Sequence, residues 1–172
     1  MRRRRKAPHK NTVRLARLLE NGICILSMEG FEIFKGMPAF EKRIKTSTAP
    51  PRFIITHYPL ASLYGTPGFK EAFIHCDRVG DFIFEAKYQN GSGSVDEKCP
   101  YLWECFSAST VPNWIVWFDG NWFEKNPRGI AAVQWLKTRA ANHPIDGRAL
   151  HVVSSNEAFV TLVKRLFKGP PA

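Results

Sequence analysis

The chain has 172 residues, 44% of them hydrophobic and 13% aromatic, which is enough apolar material to close one compact core and makes a single domain the default. Its formal net charge of +10 favours a polyanionic partner, and nucleic acid fits better than an anionic membrane because no long amphipathic basic helix is evident. No apolar run reaches membrane-spanning length, and the best early one, Ile23 to Met28, is too short and too late for a signal sequence, so the expectation is a soluble intracellular protein.

Arg2, Arg3, Arg4, Arg5, Lys6, Lys10, Arg14 and Arg17 all precede the first acid, Glu20, and the segment before Asn11 has almost nothing to bury. Residues 1–10 are therefore expected to form a flexible basic arm able to lie along phosphates, with residues 11–172 as one domain. From Asn11 the spacing of Val13, Leu15, Leu18 and Leu19 predicts a helix that stops at Asn21-Gly22, and Ile23 to Met28 then reads as a strand. Phe31 to Phe34 suits an extended segment, Phe40 to Ile44 a short helix, and Phe53 to Thr56 a strand after a loop over Thr46 to Pro51. Two prolines and two glycines make Tyr58 to Gly68 irregular.

Glu71 to Cys76 and Asp81 to Gln89, joined by Asp77-Arg78-Val79-Gly80, read as a β-hairpin with Gly80 supplying the turn geometry. Beyond the loop Asn90 to Ser94, the Ser94 and Glu97 spacing is that of a capping box opening a helix over Cys99 to Ala108. Asn113 to Phe118 is a very apolar strand, Asn121 to Pro127 a loop, Ile130 to Ala141 a helix and Leu150 to Val153 a strand. Ser154 with Glu157 is expected to cap a last helix carrying Phe159, Val163 and Phe167. Alternation of strands and helices implies an α/β layer structure.

Cys24, Cys76, Cys99 and Cys105 form no Cys-x-x-Cys pair and no zinc-type cluster with the five histidines, which points to reduced thiols. His57, His75, His143 and His151 are expected to be structural or superficial. Most of the five tryptophans, Trp103, Trp114, Trp117, Trp122 and Trp135, sit at core periodicity; Trp122, in its loop, is the first candidate for an exposed stacking platform, with a loop anchor as the favoured reading.

The chemistry lies on the second hairpin strand. Side chains alternate along a strand, so Glu85, Lys87 and Gln89 share one face of an otherwise apolar segment. A carboxylate and an ammonium two residues apart suit metal-assisted phosphodiester cleavage: the first holds a hard cation, and the second positions water or steadies developing charge. With the hairpin centred on Arg78, Glu71 falls opposite Glu85 on the same face, and a slip of one residue would turn it away. An exposed ion pair of little energetic value is the alternative account of Glu85 and Lys87.

The run Glu85, Lys87, Tyr88, Gln89 followed by Gly93, Ser94, Val95, Asp96, Glu97, Lys98 and Tyr101 resembles the PD-(D/E)XK nuclease superfamily, specifically its small phage and bacterial members. The strand ending in Asp119-Gly120 and the later Ala131-Ala132-Val133-Gln134-Trp135-Leu136 extend the likeness, which then covers about two thirds of the chain. The acid-x-Lys pattern alone is weak, since Asp96-Glu97-Lys98 satisfies it too.

The resemblance implies a restriction-endonuclease-like α/β fold, a mixed central sheet flanked by helices, and a metal-dependent deoxyribonuclease, an endonuclease by first choice. It implies Glu71, Glu85 and the Ala86 carbonyl as ligands of Mg²⁺, with Mn²⁺ able to substitute. Lys87 would orient water, and Gln89 would bind a phosphate or a metal water, or tie down the loop. The first acid of the superfamily is most often aspartate, and no Pro-Asp pair precedes Glu85. Glu71 takes that place here, with Asp77 and Asp81 as competitors; Glu20 of the first helix is a further candidate ligand, for which an exposed helix-end acid is the favoured reading. DNA is the implied partner, a homodimer stays open, and the implied setting is the cytoplasm of a bacterial or phage-infected cell. The alternative from another class is a DNA-binding accessory protein on the same fold without turnover.

Overall fold

The computed structural model describes residues 10–66, 68–91 and 97–168, with side chains from residue 13 onward. Residues 1–9 of the expected basic arm lie outside the described residues, as do Gly93, Ser94, Val95 and Asp96 with the capping box drawn on Ser94.

Six strands form one sheet in chain order, β1 (Glu32–Lys35), β2 (Arg52–Pro59), β3 (Phe69–Cys76), β4 (Gly80–Tyr88), β5 (Asn113–Asp119) and β6 (Ala149–Val153). β3 runs antiparallel to both of its neighbours, β2 and β4, whereas β1 joins β2, β5 joins β4 and β6 joins β5 in parallel. The sheet is thus mixed, as expected. The parallel crossovers carry helices, because such a connection must return the chain to the same end of the sheet. Those helices are α2 (Met37–Ile44) between β1 and β2, α3 (Lys98–Ala108) between β4 and β5, and α4 (Asn121–Lys125) with α5 (Pro127–Asn142) between β5 and β6. α1 (Lys10–Ser27) and α6 (Asn156–Phe167) open and close the chain.

Both faces of the central strands are covered, which is why β4 and β5 read as nearly continuous apolar runs. On one face Phe82, Phe84 and Ala86 of β4 and Ile115 and Trp117 of β5 pack with Leu18 and Leu26 of α1 and Phe159, Val163 and Phe167 of α6. On the other, Ile83 of β4 and Trp114, Val116 and Phe118 of β5 pack with Leu102, Trp103 and Phe106 of α3, Phe123 of α4 and Leu136 of α5. A third cluster at the β1 edge sets Phe34, Phe53 and Ile55 under Phe40 of α2, with the Phe40 and Phe53 rings stacked at 4.6 Å.

Four local expectations are corrected. Asn21-Gly22 does not end the first helix: α1 runs on to Ser27, so Ile23 to Met28 is not a strand. A β-carbon on Gly22 would stand 2.8 Å from Cζ of Phe84, so the glycine is there to let the helix lie close on β4. The last helix is capped by Ser155, whose hydroxyl accepts from the Ala158 amide at 3.1 Å, rather than by Ser154. The loop drawn over Asn121 to Pro127 contains α4, and Trp122 is only 7% exposed; the exposed tryptophan is Trp135, at 43%. Lys10, drawn as the end of the arm, opens α1. All four cysteines are free. Among the described residues no helix is long and apolar enough to cross a membrane.

Candidate active site on the β3–β4 hairpin

The hairpin register is the one the sequence predicts. Ala72 pairs with Phe84, Ile74 with Phe82 and Cys76 with Gly80, a register centred on Arg78, and Gly80 closes the turn at φ 87. Continued one step, it sets Glu71 across from Glu85. Phe73 and His75 of β3 share the face of Ile83 and Glu85, the side covered by α3, α4 and α5.

Glu85 is 5% exposed in the middle of the sheet, so its charge must be compensated there. Two lysines do this. Nζ of Lys87 donates to Oε2 at 2.8 Å, and Nζ of Lys70 lies 3.0 Å from Oε1. Lys70 is also held 4.7 Å from the ring centre of Trp114, a fully buried side chain, in a cation–π contact.

Lys70 is the site residue that sequence reasoning missed. Strict alternation would send it, like Ala72, to the opposite face of the sheet. The reason it does not lies on β2: Thr56 pairs with Ala72 and Tyr58 with Lys70, but His57 between them, across from Glu71, takes φ 52, a left-handed conformation rare for a residue with a β-carbon. Past that break the faces exchange. Tyr58 stacks on Phe73 at 4.6 Å, and Lys70 reaches Glu85.

The carboxyl of Glu71 holds its proton more tightly than an ordinary glutamate, first because it is largely buried and then because of the negative charge of Glu85. Lys87, His57 and Lys70 act on it in the opposite sense. Glu71 therefore lies within electrostatic reach of Glu85 and both lysines. Mutual repulsion of two carboxylates is what a hard cation between them would relieve, and among the described residues these two acids gather no third His, Cys, Asp or Glu. The pairing of β4 with β3 stops at Phe84, which leaves Ala86 beyond the hydrogen-bonded stretch on that side.

A cavity of about 390 Å³ opens over Glu85 and its two lysines, lined by Leu15 of α1, Lys70, Glu85, Lys87 and Gln89 of the hairpin, and Lys98 and Tyr101 of α3; Glu71 is not among the residues that line it. The guanidinium of Arg14 donates to the Tyr88 hydroxyl at 2.9 Å, which ties the basic start of α1 to this rim. Gln89 lines the cavity, and its side-chain amide donates to the Gly91 carbonyl at 2.9 Å. Its own carbonyl accepts from the Trp122 amide at 3.0 Å, close against Gly120 at φ 102, where a β-carbon would come within 2.4 Å.

The competing acids are engaged elsewhere. Asp81 and Asp77 bind the two ring nitrogens of His75 at 2.6 and 2.7 Å, at the turn end of the hairpin. Asp81 lies four positions before Glu85, about 13 Å along a strand. Glu20 is exposed on α1 and does not line the cavity. A larger groove of about 560 Å³ between β6 and α6 contains a single acid, Glu157.

No curated protein and no solved structure matches the chain. A family model described as a PD-(D/E)XK nuclease superfamily domain matches residues 23–166, from within α1 to the end of α6 and including the whole hairpin. By that match over most of its length, on a mixed sheet flanked by helices, the chain belongs to the PD-(D/E)XK nuclease superfamily.

Proposed function

We propose that the protein is a Mg²⁺-dependent deoxyribonuclease that hydrolyses phosphodiester bonds of DNA, with cutting at internal sites as the first expectation. The observation that carries this is the buried Glu85 carboxylate held by Lys87 and Lys70 at one cavity of a nuclease-superfamily sheet, with Glu71 one register step beyond the paired stretch and its carboxyl raised in part by the charge of Glu85. Glu71 and Glu85, with the Ala86 carbonyl, would hold the cation, which supplies positive charge at the phosphate oxygens. Lys87 would align the attacking water, for which its ammonium, 2.8 Å from Glu85 and on the more open side of the group, is suitably placed. Gln89 borders the path of the strand being cut. Arg14, Lys98 and the net charge of +10 supply phosphate contacts that position DNA without reading its sequence.

Duplex, single-stranded and branched DNA, with RNA in parallel, are incubated with Mg²⁺, Mn²⁺ or EDTA. Cutting of DNA that needs the metal, and that disappears in Lys87→Ala while folding and DNA binding persist, is the expected result. Wild-type turnover in Lys87→Ala would refute the role given to that lysine. Tight DNA binding without metal-dependent cutting would point instead to the accessory protein.

A further inference from the structure

Both oxygens of the Glu85 carboxylate are bound by ammonium groups, and the two lysines are not equivalent. Lys87 comes from the same strand, and its side chain is 27% exposed. Lys70 comes from the neighbouring strand, is 11% exposed, and is held on its other side by the Trp114 ring at 4.7 Å. Lys87, which already lines the cavity, gives up only the carboxylate when it moves. Lys70 cannot leave without giving up both the ring and the carboxylate.

We propose, on the footing that Glu71 and Glu85 are the metal ligands of the nuclease reading above, that Lys70 is a built-in cation: it restricts this site to one divalent ion and keeps that ion loosely held until substrate arrives. One carboxylate, Glu85, faces two ammonium groups here, and among the described residues no three His, Cys, Asp or Glu side chains gather to hold a metal. The negative charge of a phosphodiester offsets half the charge of one divalent ion. A second would face the fixed charge of Lys70 at short range, in surroundings where burial weakens the screening of like charges. Without DNA the incoming ion must compete with both lysines for Glu85. With DNA, the phosphate offers the ammonium groups another anion. Lys70 is thus a positioning residue that sets metal number and the order of loading.

The test counts bound metal and needs no turnover. Mn²⁺ alone is titrated into the intact protein, with and without a cleavage-resistant DNA, by calorimetry and electron paramagnetic resonance. The proteins compared are the wild type, Lys70→Met, which keeps the chain length against Trp114 without the charge, and Lys70→Arg, which keeps the charge. The wild type should bind one Mn²⁺, more tightly with DNA. Lys70→Met should bind Mn²⁺ at least about tenfold more tightly without DNA, through loss of a competing unit charge. Lys70→Arg should bind as the wild type does. Mn²⁺ affinity that is unchanged or weakened in a Lys70→Met protein with wild-type thermal unfolding overturns the proposal, as does binding of two ions by the wild type. If Lys70→Met gains affinity while the wild type cuts no DNA with Mg²⁺, the role of Lys70 stands and the nuclease reading falls.

Discussion

Gly22 of α1 lies directly over the ring of Phe84 on β4, so near that a β-carbon there would be 2.8 Å from Cζ and 3.1 Å from Cε1. Phe84 has no exposed surface, and its ring is packed against Phe159 at 5.4 Å, so it has little room to yield. Glycine within a helix normally costs up to about 1 kcal/mol relative to alanine. Here overpacking, at about 1–3 kcal/mol, outweighs that gain. Gly22→Ala should therefore lower stability in urea unfolding, and a stabilised variant would show that α1 does not rest on β4 in this way.

Glu85 is the counter-charge of two lysines, one of them nearly buried. Glu85→Ala should cost about 3–5 kcal/mol, because it strands the Lys70 ammonium beside Trp114. Adding Lys70→Met should restore part of that loss. The measurement is a double-mutant cycle in denaturant unfolding, and additive losses would mean that the two side chains do not interact.

His75 gives the hairpin a pH dependence. Its burial disfavours the imidazolium, but the hydrogen bonds to Asp81 and Asp77, with their negative charges, outweigh this and leave its pKa raised above 6.5. A basic group that binds its proton more tightly when folded stabilises fully below its unfolded pKa, here 6.5, and loses that contribution as pH rises through the folded value. Both aspartates are more than 40% exposed, so the effect is at most about 1 kcal/mol. The thermal midpoint should fall between slightly acidic and mildly alkaline pH more in the wild type than in Asp81→Asn. Identical profiles would remove the network from the stability of the turn.

The cap of α6 is testable at single-residue resolution. Ser155→Ala removes an acceptor from the Ala158 amide and should cost about 0.5–2 kcal/mol. Ser154→Ala disturbs only a 3.4 Å contact from Lys137 and should stay within about 0.5 kcal/mol. Thermal unfolding of the two variants separates these assignments, and equal losses would contradict the observed cap.

Much of the fold was legible in local pattern. Alternation on Asp81 to Gln89 and the turn residues before it specify the β3–β4 hairpin, because both signals act within a few residues and the register follows from the turn. The same period of two puts Glu85, Lys87 and Gln89 on one face and Glu71 opposite Glu85, so the principal candidates could be named without coordinates. Where a local signal had two readings, the sequence chose wrongly. Asn21-Gly22 looks like a helix stop and is a close-packing position, and Ser154 looks like the cap of the last helix, a place that Ser155 takes.

By itself, then, the sequence determined the α/β layering, the hairpin and the acid-x-Lys strand, since those depend on periodicity and turn chemistry between near neighbours. The tertiary structure alone decided that α1 continues past Gly22, that Asp77 and Asp81 are spent on His75, and that Lys70 turns toward Glu85 and Trp114. Each of these depends on contacts between segments distant in the chain or on the break at His57, and no spacing rule along a single strand contains that information.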